Sequence, residues 1–238
     1  MFNLFSQNTF IGQMLKSLNV DIQENKVKEK IGISTLHYKL LNEYLQIQYN
    51  EGYITNGTFL FDLRKLMTNK FSVYNQIAEF ELERKNANEA RILFELALNE
   101  ASEEHDGRKL MVIPFLIGID LRYKTTSNKT AHHISLGLEC YNKLYTISPD
   151  VTKLYWSEYF EWICMLEIIY CCLNTDFDMV PIKINKFTIL IIGKFNNINE
   201  FLETYDDYAD PIKSPLYTYS KIIFREQYNK LIINGILE

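Results

Sequence analysis

The chain has 238 residues, 47% of them apolar and 23% charged, a balance that suits a globular protein of one large or two small domains. Nine glycines and five prolines are too few breakers for a β-sandwich or barrel, so an all-α fold is expected. The net charge of −5 is unevenly spread, with eight Lys/Arg against six Asp/Glu in residues 1–70 and seventeen against twenty-four in 71–238. That asymmetry suits two parts with different partners, and drift in solvated surface charge explains it equally well.

The four cysteines, Cys140, Cys164, Cys171 and Cys172, form no CxxC pair and sit in apolar surroundings, as reduced core residues of a cytoplasmic protein do. The opening MFNLFSQNTFIGQMLKSL lacks a basic region ahead of its apolar residues and a small-residue cleavage site, so it reads poorly as a signal peptide. The apolar stretch 154–173 is broken by Glu158, Glu161 and Glu167, which favours a buried helix with no membrane partner. Glu158 and Glu161 share one edge of that helix, and Glu167 falls roughly opposite, so it needs a partner or another exposed edge.

In chain order, residues 8–18 place Phe10, Ile11, Met14, Leu15 and Leu18 on one helical face. Residues 22–31 predict a short amphipathic helix with Ile22, Val27 and Ile31 inward. Ser34 is positioned to cap a helix from 35 to about 50, with Leu36, Leu40, Leu41, Tyr44 and Ile47 inward and Gly52 as its stop. Further helices are expected over 58–68, 71–83, 87–103, 109–124, 131–146, 152–173 and 197–208. Ser214-Pro215 opens a final helix that ends near Gly235. The stretch 181–195 is rich in β-branched residues and admits a strand, but with no partner strand in view it is assigned as helix.

Residues 71–104 and 109–150 resemble tetratricopeptide repeats. Ala90, Phe94 and Ala97 fit the small–aromatic–small pattern of the repeat's second helix, and Ala78 fills the small slot of the first, beside Ile77 and after Tyr74. Glu81 stands where that repeat has Tyr, and Ser102 where it has its closing Pro. The next pair offers Gly118, Gly137, Tyr141, Leu144 and Pro149 around a longer loop. A generic antiparallel helical hairpin also uses small residues at its contacts.

The opening region resembles the helix-turn-helix domain of bacterial and phage repressors. Ile11, Gly12, Leu15 and Leu18 serve the first helix, Val27 and Ile31 the second, and Gly32 the turn. Ile33-Ser34 form the way into the third helix, Tyr38 and Leu41 its buried side, and residues 55–67 a fourth helix. The resemblance implies that the third helix enters the DNA major groove, with Ser34, Thr35, His37 and Lys39 at the DNA and Lys26, Lys28 and Lys30 toward the backbone. It departs from the pattern at Lys28, where a small residue is usual, at Asn19, where Arg is common, and in a third helix about two turns too long. A bend in a helical core reads from the same residues.

Together, a helix-turn-helix part at 1–70 and a tetratricopeptide-like part at 71–238 resemble the peptide-responsive transcription regulators of Gram-positive bacteria and their phages. The resemblance implies a homodimer on DNA whose repeats bind a peptide or protein, with Asn75, Glu79, Ile119 and Arg122 in the groove-facing slots. The alternative is a helical interaction module without nucleic acid, an adaptor or an immunity-type inhibitor with an acidic surface. No P-loop, dinucleotide fingerprint, GxSxG or HExxH motif occurs, so neither an enzyme nor a cofactor or metal site is expected.

Overall fold

The computed structural model describes residues 9–101, 106–123, 129–203 and 215–237. The described residues form twelve α-helices and no strand beyond an isolated bridge between Ile192 and Phe195. The chain falls into two compact units that divide after Glu100. The division expected at residue 70 therefore moves thirty residues on, and the reason is packing. The pair α5 (Lys70–Glu83) and α6 (Ala87–Glu100) belongs with the N-terminal helices, where Phe80 meets Tyr44 edge-on at 5.9 Å and Arg84 bridges to Glu43 at 2.7 Å.

In the first unit, α1 (Phe10–Ser17) starts on a double cap. The Thr9 hydroxyl accepts from the Gly12 N–H at 3.2 Å, and the buried Asn42 carboxamide of α3 (Thr35–Asn50) accepts from the Ile11 N–H at 3.0 Å. Asn42 Nδ2 donates in turn to the Tyr38 carbonyl at 2.9 Å, so one side chain ties two helices together. Glu24, the first residue of α2 (Glu24–Ile31), reaches α1 closely: a Cβ at Gly12 would lie 2.8 Å from Glu24 Oε2. Burial, followed by the adjacent Glu24 charge, raises the Tyr38 phenol well above its ordinary pKa.

Gly32 ends α2 at φ 72°, in the left-handed region that glycine adopts without a Cβ clash. The Ser34 hydroxyl then accepts from the His37 N–H at 3.1 Å and opens α3. The buried face of α3 is Tyr38, Leu41, Asn42 and Leu45. Leu36 and Ile47, expected inward, are 58% and 38% exposed, because each lies about 200° around the helix from a neighbouring core position. Ile22, also expected inward, precedes α2 and is exposed. Helix α4 (Phe59–Thr68) buries Phe59, onto which Phe10 packs edge-on at 5.8 Å.

The α5–α6 hairpin buries Ala78, Ala90, Phe94 and Ala97 completely. Its turn is built on Glu81, which is only 3% exposed. That carboxylate accepts from Asn86 Nδ2 at 2.6 Å and from Arg84 Nη1 at 3.2 Å.

The second unit holds α7 (Asp106–Tyr123), α8 (Thr130–Ile147), α9 (Pro149–Leu173), α10 (Val180–Ile191), α11 (Ile198–Glu203) and α12 (Pro215–Ile233). Gly137 lets α8 approach its neighbours, since a Cβ there would lie 2.7 Å from Ile163 Cδ1 and 3.1 Å from Ile113 Cγ2. Gly118 faces α12 instead, with Leu216 Cδ2 2.8 Å from where a Cβ would stand. Trp162 centres this core. Its Nε1 donates to Ser220 Oγ at 3.1 Å, and Phe115 and Tyr217 meet its ring edge-on at 5.1 and 5.3 Å.

The ambiguous stretch 181–195 is helical over α10, because Val180, Ile184, Phe187 and Ile191 fall on one buried stripe. Both inner carboxylates of α9 have cations: Glu161 meets Lys194 at 2.6 Å and Glu167 meets Lys183 at 2.6 Å. The part of the expected helix 197–208 beyond residue 203, the Ser214 cap and most of the loop at 125–130 lie outside the described residues.

Two outcomes test this packing. Asn42→Ala leaves the Ile11 N–H buried without its acceptor, and chemical denaturation is expected to show a loss of about 1–3 kcal/mol. Lys194→Met removes the cation beside buried Glu161, and a loss of about 1–3 kcal/mol at pH 7 is expected, below the full buried-pair figure because Lys194 is partly exposed. Burial holds the Glu161 pKa above the ordinary carboxylate value of 4.5, an effect that the hydrogen bond and charge of Lys194 oppose. A raised folded-state carboxylate pKa means that the charged form destabilises the fold at neutral pH. Without Lys194 that pKa rises further, so the defect is relieved as pH falls through it toward 4.5. Urea midpoints measured between pH 4.5 and 8 check the sign.

Candidate functional site

The helix-turn-helix residues divide into an outward and an inward group. Ser34, Thr35 and Lys39 are exposed at the leading end of α3, as are Lys26 and Lys30 on α2. Lys28 is half-buried, and its Nζ donates to Thr35 Oγ1 at 2.5 Å, so this lysine braces the start of α3 from beneath. Glu29 on α2 is exposed beside Lys30, while Glu43, one turn beyond Lys39, is matched by Arg84 at 2.7 Å.

His37 is not part of the outward group. Its side chain is 14% exposed, and its ring meets Tyr74 edge-on at 5.4 Å, with Nε2 3.9 Å from a Glu89 oxygen. Burial lowers its pKa and Glu89 only partly opposes that, which keeps the imidazole mostly neutral at pH 7. The physical reason is register: His37 stands one turn before Leu41, on the flank of α3 that α5 covers. Leu36 takes the exposed place instead.

The four slots assigned to a peptide are divided between the two units. Asn75 and Glu79 belong to the first unit, and Ile119 and Arg122 to the second. Asn75 is buried and its Nδ2 donates to Glu79 Oε1 at 2.5 Å, so it orients an exposed carboxylate and is not itself open to a ligand. Ile119 is fully buried and acts as core. Arg122 is exposed, its guanidinium 4.7 Å from the Tyr219 ring and 5.4 Å from that of Tyr123.

Beside Arg122 lies a feature that sequence reasoning missed: a small groove between α7, α9 and α12, open to solvent. Its walls are mainly Leu121, Leu166, Ile169, Leu173 and Ile223, with Gly118 between α7 and α12. Tyr219, Ser220 and Gln227 complete the α12 side. Gly118 was the one local signal, a small residue on a helix face, but its neighbour is Leu216, nearly a hundred residues away in sequence.

Among the described residues no group of three or more His, Cys, Asp or Glu side chains is arranged to hold a metal ion. All four cysteines are free thiols. Cys140 Sγ donates to Asp106 Oδ1 at 3.4 Å, and burial with the Asp106 charge pushes its pKa up to about 12, so it stays protonated. No helix among the described residues is long and apolar enough to cross a membrane.

No protein-family model matches this chain, no curated protein matches it, and no solved structure matches it.

Proposed function

We propose that the chain is a cytoplasmic DNA-binding transcriptional regulator. Its first unit docks α3 in the major groove, and its second unit senses a peptide or protein. One observation carries the DNA half. The left-handed Gly32 and the Ser34 cap set α3 at an angle to α2, with Ser34, Thr35 and Lys39 exposed at its leading end. Lys26 and Lys30 flank that end and would meet phosphates, and a homodimer would address two half-sites. The small residues buried at the α5–α6 contact, and Gly137 beneath α8, support a tetratricopeptide-like stacking of hairpins. The groove beside Arg122 supplies the sensing half with a place for a ligand.

The second reading is a helical protein–protein interaction module, an adaptor or an immunity-type inhibitor, with no nucleic-acid partner. It is favoured by His37 facing inward and by the 58% exposure of Leu36, an apolar side chain at the place that should meet DNA.

Binding of mixed-sequence duplex DNA to the full chain over a salt series separates the two. A regulator binds with log affinity falling linearly in log salt concentration. Lys39→Glu and Lys30→Glu then each weaken binding, with the salt slope shallower by about one unit, while His37→Ala leaves it unchanged. Absence of binding at low salt, or affinity indifferent to both lysine reversals, transfers the protein to the second reading.

A further inference from the structure

We infer that the tip of the α8–α9 hairpin is the surface by which two copies of this chain pair, the first turns of α9 crossing antiparallel about a two-fold axis. This rests on the homodimer of the proposed regulator, and it is tested without DNA.

The tip stands clear of the core. Val151, Leu154, Tyr155, Trp162, Leu166 and Ile169 fall on one stripe of α9 at helical spacing. In the later turns α7 and α12 cover that stripe, and Trp162, Leu166 and Ile169 are buried. Both covering helices begin farther along α9. Gly107, the second residue of α7, lies against the Trp156 indole, and Tyr217, the third of α12, meets the Trp162 ring. Lys194, just beyond α10, comes no nearer the tip than Glu161. The same stripe is therefore open in the first two turns: Val151 is 50% exposed, Leu154 73% and Tyr155 63%. Ile147, at the end of α8, is 80% exposed.

The area suits a small dimer interface. These four side chains leave on the order of 500 Å² of largely apolar surface per chain, since large side chains expose roughly 150–250 Å² when free. That is about as large a patch as a monomer keeps open. With the polar residues around it, one such face from each of two chains reaches about 1,200 Å², the lower bound of a specific interface.

Charge selects a second copy over an unrelated partner. Asp150 and Lys153 are both exposed on the Leu154 side of the stripe. Neither makes an ion pair among the described residues, and Lys153 Nζ stands 5.6 Å from the Tyr145 ring. A surface with both signs one turn apart is complementary to its own reverse. In an antiparallel crossing centred between them, Asp150 meets the partner's Lys153 and Lys153 meets the partner's Asp150. The same centring puts Val151 near the axis and sets Leu154 and Tyr155 over the partner's Pro149 and Ile147, positions that are exposed in the single chain. A uniformly acidic or basic partner would set one of the two charges against its like.

Sedimentation equilibrium of the full chain, without DNA, tests this. The chain is expected to dimerise reversibly with a Kd in the micromolar range, as an interface at the small end of the standard size does. Asp150→Lys and Lys153→Asp should each weaken the dimer about tenfold or more, since each sets two like-charge pairs across the axis. An equimolar mixture of the two variants should pair again within about threefold of the unsubstituted Kd, because each contact is then Lys against Asp. Leu154→Asp should leave monomer, alone or mixed. All three positions are exposed, so the helical circular dichroism of each variant is expected to be unchanged. A monomer at every concentration up to about 100 μM, a dimer indifferent to Leu154→Asp, or charge variants that mixing fails to restore overturns the inference. An intact dimer that does not bind DNA sinks the regulator and leaves this interface standing.

Discussion

The direction of α3 depends on one residue in the left-handed region. At φ 72° the Gly32 backbone turns the chain between two helices in three residues, and nothing lies within 4 Å of where its side chain would be. The glycine is therefore needed for its backbone and not for space. Once the turn is made, the rest of the first unit fixes where α3 lies. Asn42 is shared between the start of α1 and the Tyr38 carbonyl, so α1 cannot shift along α3 without leaving a buried N–H unmatched. Glu24 against Gly12 closes the third side of this arrangement. A small three-helix core gains its rigidity from these few directional contacts as much as from its apolar area.

The same register that exposes Thr35 and Lys39 hides His37. Positions 35, 36 and 39 lie on one side of α3, whereas 37 falls toward 41 and hence toward α5. The contact with Tyr74 and Glu89 makes the α5–α6 hairpin part of the support for the leading end of α3. This explains why the first compact unit runs to Glu100: three cross-links, His37 to Tyr74, Tyr44 to Phe80 and Glu43 to Arg84, fasten the hairpin to α3.

Helical content and most helix boundaries were legible in the sequence because they rest on local signals. Ser34 as a cap, Gly32 and Gly52 as stops and the buried stripe of α10 each act within one or two turns. The inward face of α3 was misread at Leu36 and Ile47 because a long helix with apolar residues on two sides gives no single stripe, and the polar Asn42 took a core place. The unit boundary was misplaced because cross-links such as Arg84 to Glu43 have no periodicity to read. A partner or an exposed edge for Glu167 could be foreseen as a need, but Lys183 could not be named from spacing alone, and the pairing of Glu161 with Lys194 gave no local signal.

The groove was the least legible feature. Its three walls come from helices separated by about forty and then by more than forty residues, and each wall taken alone looks like ordinary core sequence. What distinguishes it is an omission. The α7, α9 and α12 helices meet around Trp162, with Phe115, Tyr217 and Ser220 all in contact with its indole, and they leave an opening toward Leu173 and Gln227. Leu173, 53% exposed at the end of α9, stays in contact with water in a unit that buries Ile163, Leu166 and Ile169 of the same helix.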